Sequence, residues 1–132
     1  MTSALSRPAF APGRHPIAAY GAGAFAFAGM SHEGSILATP QGVRAIDVAS
    51  VGDLDEIALA PLIAECADRP GSIELLIVGT GARMAPLGRP LKDALKRAGL
   101  RFEAMATGPA LRVYNVMQSE NRRVAAALIA AP

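Results

Sequence analysis

The sequence predicts an α/β fold, with a C-terminal βαβαβ unit and an added β-rich section at its N-terminal side. Three observations carry this. Residues 73–78 form an apolar run broken only by Glu74, the mark of a strand covered on both faces. Segments 89–98 and 109–119 place apolar residues at helical spacing, and a strand-like run follows each of them. Earlier, the AFAFA stretch at 24–28 alternates with period two, which puts Phe25 and Phe27 on one face.

In chain order, residues 1–14 are expected to form a flexible tail ahead of one domain at 15–132. The stretch up to Gly13 has no hydrophobic period, and Arg7 is its only charge. Pro8, Pro12 and Pro16 would break an amphipathic presequence helix, and no signal-peptide apolar region is present. From 17 to 48 the pattern is β. His32, Glu33 and Gly34 read as a turn, 35–39 as a strand, Pro40-Gln41-Gly42 as a second turn and 43–48 as the returning arm, although Ile46 breaks its alternation. Residues 53–68 lead from a loop into a short helix. Pro61 fits its first turn, where a missing N–H costs nothing, and Arg69-Pro70-Gly71 stops it.

The second half repeats the strand–helix alternation. After Gly79-Thr80-Gly81, the helix at 89–98 carries Leu87, Leu91, Ala94, Leu95 and Ala98 on one stripe and Lys92, Asp93, Lys96 and Arg97 on the other. Gly99 is placed to end it. Residues 101–105 form a strand, and the helix at 109–119 buries Ala110, Val113, Tyr114 and Met117 while turning Arg112, Asn115 and Ser119 outward. Asn121 tolerates the left-handed turn that closes it. Residues 122–129 then return as a strand, with one of Arg122 and Arg123 pointing inward and paired with Glu103 or Glu120.

Composition bounds the function classes. Apolar residues make up 52% of the 132 positions, without tryptophan, which suits one tightly layered core. No apolar run reaches the roughly 18 residues of a spanning helix, so direct membrane insertion is not expected. Cys66 is the single cysteine, which excludes an intrachain disulfide and fits a reducing compartment; its helical setting beside Glu65 makes it a packing residue. Residues 61–132 hold ten bases against six acids, but these are dispersed and no aromatic ladder is interleaved with them, so nucleic acid is not an expected partner.

Candidate chemistry is confined to the strand–helix junctions. Open α/β sheets bind ligands at the carboxyl ends of their strands, where Gly79, Thr80, Gly81 and Arg83 follow one strand and Thr107 another, with Asn115 further along the same helix. Together these six residues define a candidate cleft. Its glycines match neither the dinucleotide fingerprint nor a P-loop, which leaves a tight turn or a backbone anion site assisted by Arg83. Thr107 is expected to cap its helix. His15 and His32 lie far apart, one cysteine cannot build a zinc ribbon, and no G-x-S-x-G elbow is present, so no catalytic residue, metal or cofactor is expected.

The segments YGAGAFAFAGMSHEGSILATPQGV, LLIVGTG, FEAMATGPALRVYNV and ENRRVAAALI resemble the small Mth-type domain of unknown function, over residues 17–129. Its relatives include a mitochondrial assembly factor of respiratory complex I and an adipogenesis-associated protein. The most specific pieces are Gly34–Leu37 and the set Glu103, Met105, Thr107, Tyr114 and Asn115. Pro109, Val113 and Asn121 depart from the usual small residue, Thr and Gly. The resemblance implies α/β layers around a mixed central sheet and no established enzymatic activity. It further implies help in assembling a respiratory complex through protein partners, with respiratory-complex subunits among them.

Two functions follow as expectations. The first is a noncatalytic assembly or adaptor protein, cytoplasmic, or mitochondrial if the source is eukaryotic. The alternative is a small-molecule or anion-binding domain, or an enzyme without a visible signature, using the Gly79–Gly81 and Thr107–Asn115 cleft. Oligomeric state is left open by the sequence.

Overall fold

The computed structural model describes residues 10–19 and 23–131. Six short strands come first: β1 (Phe10–Pro12), β2 (Ala18–Ala19), β3 (Ala24–Phe27), β4 (Met30–Glu33), β5 (Ile36–Thr39) and β6 (Gly42–Ala45). A 3-10 turn at Val51–Asp53 leads to α1 (Ala60–Asp68). The alternating half follows as β7 (Leu75–Gly79), α2 (Arg89–Arg97), β8 (Arg101–Met105), α3 (Thr107–Ser119) and β9 (Val124–Leu128).

The central sheet is mixed, with strand order β1-β6-β5-β9-β7-β8. Its β1, β6, β5 and β9 neighbours run antiparallel, whereas β9, β7 and β8 run parallel. A second, antiparallel sheet has the order β2-β3-β4. Alternate residues of the central strands feed two cores. Leu75, Ile77, Val124, Ala126 and Leu128 pack with Phe25 and Phe27 of the small sheet and Ala110, Leu111 and Tyr114 of α3. Leu76, Val78, Ala125, Ala127 and Ile129 pack on the other side with Leu62 of α1 and Leu91 and Leu95 of α2. The molecule is thus layered, as the sequence leads one to expect.

Its alanines make β9 the least obvious strand. Three consecutive alanines favour a helix locally, but β9 lies between β5 and β7, and all five of its residues are buried. Burial on two faces overrides propensity, and small side chains there let helices approach the sheet from both sides. The helix ends follow their sequence signals. At Gly99 (φ 72°) the Leu100 amide donates to the Leu95 carbonyl, and at Asn121 (φ 62°) the Arg122 amide donates to the Met117 carbonyl, so both α2 and α3 end in the left-handed closing motif.

Several expectations are corrected. Phe10–Pro12, inside the stretch expected to be a tail, pairs with β6, and the Gly13 amide donates to the Gln41 carbonyl at 2.8 Å. Pro12 is tolerated because β1 is an edge strand. Residues 1–9 lie outside the described residues. His32 and Glu33 belong to strand β4, and the turn before it is Ala28-Gly29, both at positive φ (52° and 77°), joining the Phe27–Met30 pair in a two-residue hairpin loop. The helix expected from 109 begins two residues earlier, at Thr107, and the final strand begins at Val124, after Arg122 and Arg123.

Candidate functional site

The chain runs from β7 through α2 to β8 and back through α3 to β9, on the far side of β7. Reversing direction across the sheet sends α2 and α3 to opposite faces, which is seen in the core each helix joins. In such a layout the carboxyl ends of β7 and β8 are where an α/β sheet would place a ligand. Thr80 follows the end of β7, and Thr107 follows the end of β8.

Both hydroxyls are occupied. Thr107 Oγ1 donates to the Ile129 carbonyl at 2.7 Å and accepts from the Gly81 amide at 2.9 Å. The Thr107 amide returns a bond to the Gly81 carbonyl at 2.8 Å. Thr80 Oγ1 donates to the Arg83 carbonyl at 2.6 Å and accepts from the Ala85 amide at 3.0 Å, while the Thr80 amide donates to the Met105 carbonyl at 2.8 Å. Ile129 closes the set, its amide donating to the Gly79 carbonyl at 2.9 Å. The ends of β7, β8 and β9 are therefore tied to one another through two threonines. Gly79 makes the tie possible, since a Cβ there would stand 2.9 Å from both Cα and Oγ1 of Thr107.

This arrangement changes the expected roles. Ala106 occupies the position before α3 and Thr107 is its first residue; no side chain caps the helix. The Thr107 hydroxyl reaches back to the strand ends because those buried backbone groups would otherwise lack partners. The Thr80 and Gly81 amides, which an anion would need, already donate within the protein. Arg83 is exposed on the loop that follows.

Asn115 does not join this group. It lies about 12 Å further along the helix axis, where its Oδ1 accepts from the Ile17 amide at 2.9 Å and its Nδ2 donates to the Ile17 carbonyl at 2.6 Å. Gln118 Nε2 donates to the His15 carbonyl at 3.1 Å. Two amides of α3 thus clamp residues 15–17, which enter β2. Asn115→Ala strips Ile17 of both partners and is expected to lower stability by about 1–3 kcal/mol, measured by denaturant titration. A melting temperature equal to that of the wild type would show that water replaces the clamp.

A family model described as "Protein of unknown function (DUF498/DUF598)" matches residues 17–129. The chain belongs to the DUF498/DUF598 family. An uncharacterized protein of Rhodobacter capsulatus is 38% identical over 125 residues, covering 95% of this chain and 91% of that protein. NADH dehydrogenase [ubiquinone] 1 alpha subcomplex assembly factor 3 of Danio rerio is 42% identical over 60 residues, 46% of this chain. That match spans only 34% of the zebrafish protein. The crystal structure of an outer membrane protein from Bartonella henselae superposes with a TM-score of 0.83 at 39% identity, covering 92% of this chain and 98% of that one. The solution structure of a Mth938-like domain from Bordetella pertussis gives 0.75 at 28% identity, covering 88% and 85%. The fold is that of an Mth-type domain.

Other polar residues of this DUF498/DUF598 chain also work as ties. Ser35, within the Gly-Ser-Ile-Leu piece, is buried; its Oγ donates to the Val48 carbonyl at 2.6 Å and accepts from the Ala130 amide at 2.9 Å. Sequence reasoning placed it at a strand start and missed the tie, whose only signal is a hydroxyl among apolar neighbours. Arg122 pairs with Glu74 at 3.2 Å rather than with Glu103 or Glu120, and Glu74 also accepts from the Arg123 amide. Both arginines are exposed, because the strand begins after them. The Arg122 hydrogen bond, helped by the Arg123 amide, holds the Glu74 carboxyl below its usual range. Burial, with Glu65 beside it, pushes the Cys66 thiol up, away from the reactive thiolate. Among the described residues no group of three or more His, Cys, Asp or Glu could hold a metal ion, and no helix is long and apolar enough to cross a membrane.

Proposed function

We propose that this chain is a noncatalytic assembly or adaptor protein that acts through protein partners, respiratory-complex subunits among them, in the cytoplasm or, if the source is eukaryotic, the mitochondrion. The observation that carries the reading is the 42% identity over 60 residues to an assembly factor of NADH dehydrogenase. The bonding at the strand ends supports it. Gly79, Thr80, Gly81 and Thr107 spend their polar groups on one another and on the neighbouring strand ends. A domain of this kind, read as one unit over residues 15–132, offers surfaces to partners in place of chemistry.

Deletion of the gene tests this directly. Native gel electrophoresis of membranes from the deletion strain is expected to show assembled complex I reduced several-fold, with subcomplexes accumulating and the wild-type gene restoring assembly. Unchanged complex I would sink the proposal. A thermal-shift screen of metabolites belongs alongside it: a compound that raises the melting temperature of the wild type, in a strain with normal complex I, would move the function to the small-molecule or anion-binding alternative.

A further inference from the structure

Ile57 is the most exposed large apolar side chain among the described residues, at 83%. Leu54 and Leu59 already anchor its segment in the core, so local packing does not account for an isoleucine between them in water. It forms a shared wall of two neighbouring hollows. One, of about 530 Å3, lies between segment 51–57 and segment 86–91, with Val51, Leu54, Pro86 and Leu91 in its lining. The other, of about 440 Å3, is lined by Ile46, Ala58 and Pro61 and extends to Arg44 and Ala45 of β6.

The charge of this face is one-sided. Asp55 and Glu56 are the charged lining residues of the first hollow, and Asp47, Asp53 and Asp55, with Arg44, are those of the second. Four exposed carboxylates therefore surround Ile57 against one guanidinium, in a chain whose net charge is +2. Asp55 belongs to both hollows and is held between them, its Oδ1 accepting from the Ala58 amide at 2.8 Å. Asp53 accepts from the Ser50 hydroxyl at 3.4 Å, and Glu56 meets Arg97 at 3.6 Å in a pair with both partners more than half exposed. Exposed pairs of that kind contribute little, so an incoming cation can take the place of Arg97. An acidic peptide, a nucleic acid or an anionic lipid surface would be repelled here, and a purely apolar partner would strip water from the carboxylates without replacing it. Apolar side chains flanked by lysine or arginine meet both requirements.

We propose that this face docks a basic, apolar segment of a partner protein, with apolar side chains seated in the hollows on either side of Ile57 and lysine or arginine facing Asp47, Asp53, Asp55 and Glu56. The inference rests on the reading of the chain as an adaptor and adds the chemistry of the segment it holds. Apolar anchors in such contacts carry most of the affinity, and rim charges add orientation and salt dependence.

Panning a display library of short random peptides against the full chain tests this, followed by fluorescence anisotropy with the tightest enriched peptide. The enriched peptides are expected to combine lysine or arginine with large apolar residues, and their binding to weaken as salt rises. Ile57→Ser should raise the dissociation constant by about tenfold or more. Asp53→Asn combined with Glu56→Gln should raise it by about two- to tenfold, and circular dichroism should be unchanged because all three positions are exposed. Val116→Ser, at an exposed apolar position of α3 outside both hollows, should leave binding unaltered. Enrichment of acidic or uncharged peptides overturns the proposal, as does failure to enrich any. So does binding that Ile57→Ser leaves intact, or that Val116→Ser weakens as strongly. A concentration-dependent dimer in sedimentation velocity that Ile57→Ser dissociates would give the face to a second copy and likewise overturn it. The deletion strain keeps the two proposals apart. Full complex I assembly restored by the Ile57→Ser variant strikes this surface and leaves the adaptor reading standing, whereas intact complex I in the deletion strain, together with the expected peptide binding, strikes the complex I reading alone.

Discussion

Replacing Tyr114 by alanine is expected to lower the unfolding free energy by about 3–5 kcal/mol, the range for removing a buried ring. Tyr114 is 1% exposed and sits in the core between α3, the small sheet and the central strands, touching the set that includes Phe25, Phe27, Ile77 and Leu128. Denaturant titration measures the effect, and a loss below about 1 kcal/mol, that of a typical surface change, would mean the α3 face is misplaced. A milder variant isolates the hydroxyl. Burial pushes the Tyr114 phenol up to about 12, with Arg14 pulling the other way. The unfolded phenol ionises near 10, so above that pH the unfolded state binds fewer protons than the folded one. Stability contributed by this group is therefore fully present below about pH 10 and is lost as pH rises toward 12, by about 1.4 kcal/mol per unit at most. Tyr114→Phe is expected to flatten that alkaline slope; an identical slope in both proteins would assign it to other groups.

Gly79→Ala is expected to cost about 3 kcal/mol, at the upper end for overpacking, and to loosen the tie between β7, β8 and β9. The added Cβ would meet the Thr107 backbone at 2.9 Å, which cannot move aside as a flexible side-chain tip can. Gly79 has no unusual φ, so close approach alone is at stake. Gly108→Ala, one residue into the same helix and with nothing within 4 Å of its Cβ, serves as the control. It is expected to stabilise by about 0.5–1 kcal/mol, because alanine restricts the unfolded chain and suits a helix. Thermal unfolding of both variants decides the matter: equal, small changes would show that the strand ends are free to shift.

The alternating half was legible because its signals are periodic and local. Apolar stripes marked α2 and α3, a doubly covered run marked β7, and Gly99 and Asn121 marked two helix ends that close as expected. What escaped has two physical causes. Some elements carry no period: β1 has three residues and a proline, and Met30–Glu33 is mostly exposed, with Ala28 at a left-handed position that Asn, Asp or Gly usually fills. Other features depend on partners far away in sequence. Asn115 bonds Ile17 across 98 residues, Thr107 bonds Ile129 across the sheet, and Arg122 finds Glu74 across 48 residues. The sequence shows a polar residue at each such place; only the fold shows whether it faces a ligand or the backbone. Thr80, Thr107 and Asn115 each hydrogen-bond backbone groups.

The position of β9 bears on how the chain comes to be folded in time. Among the described strands, the one furthest along the sequence is a middle strand of the central sheet, and it joins the β1-β6-β5 half to the β7-β8 half. Until residues 124–128 leave the ribosome, β5 and β7 each present an open, largely apolar edge, the kind of edge that recruits other strands. Nascent chains therefore carry two unfinished half-sheets from the emergence of β8 until β9 follows. Closure rests on long-range pairing, which is slow to form. Pairing of those edges with residues 124–128 removes the exposed template on which other chains could add.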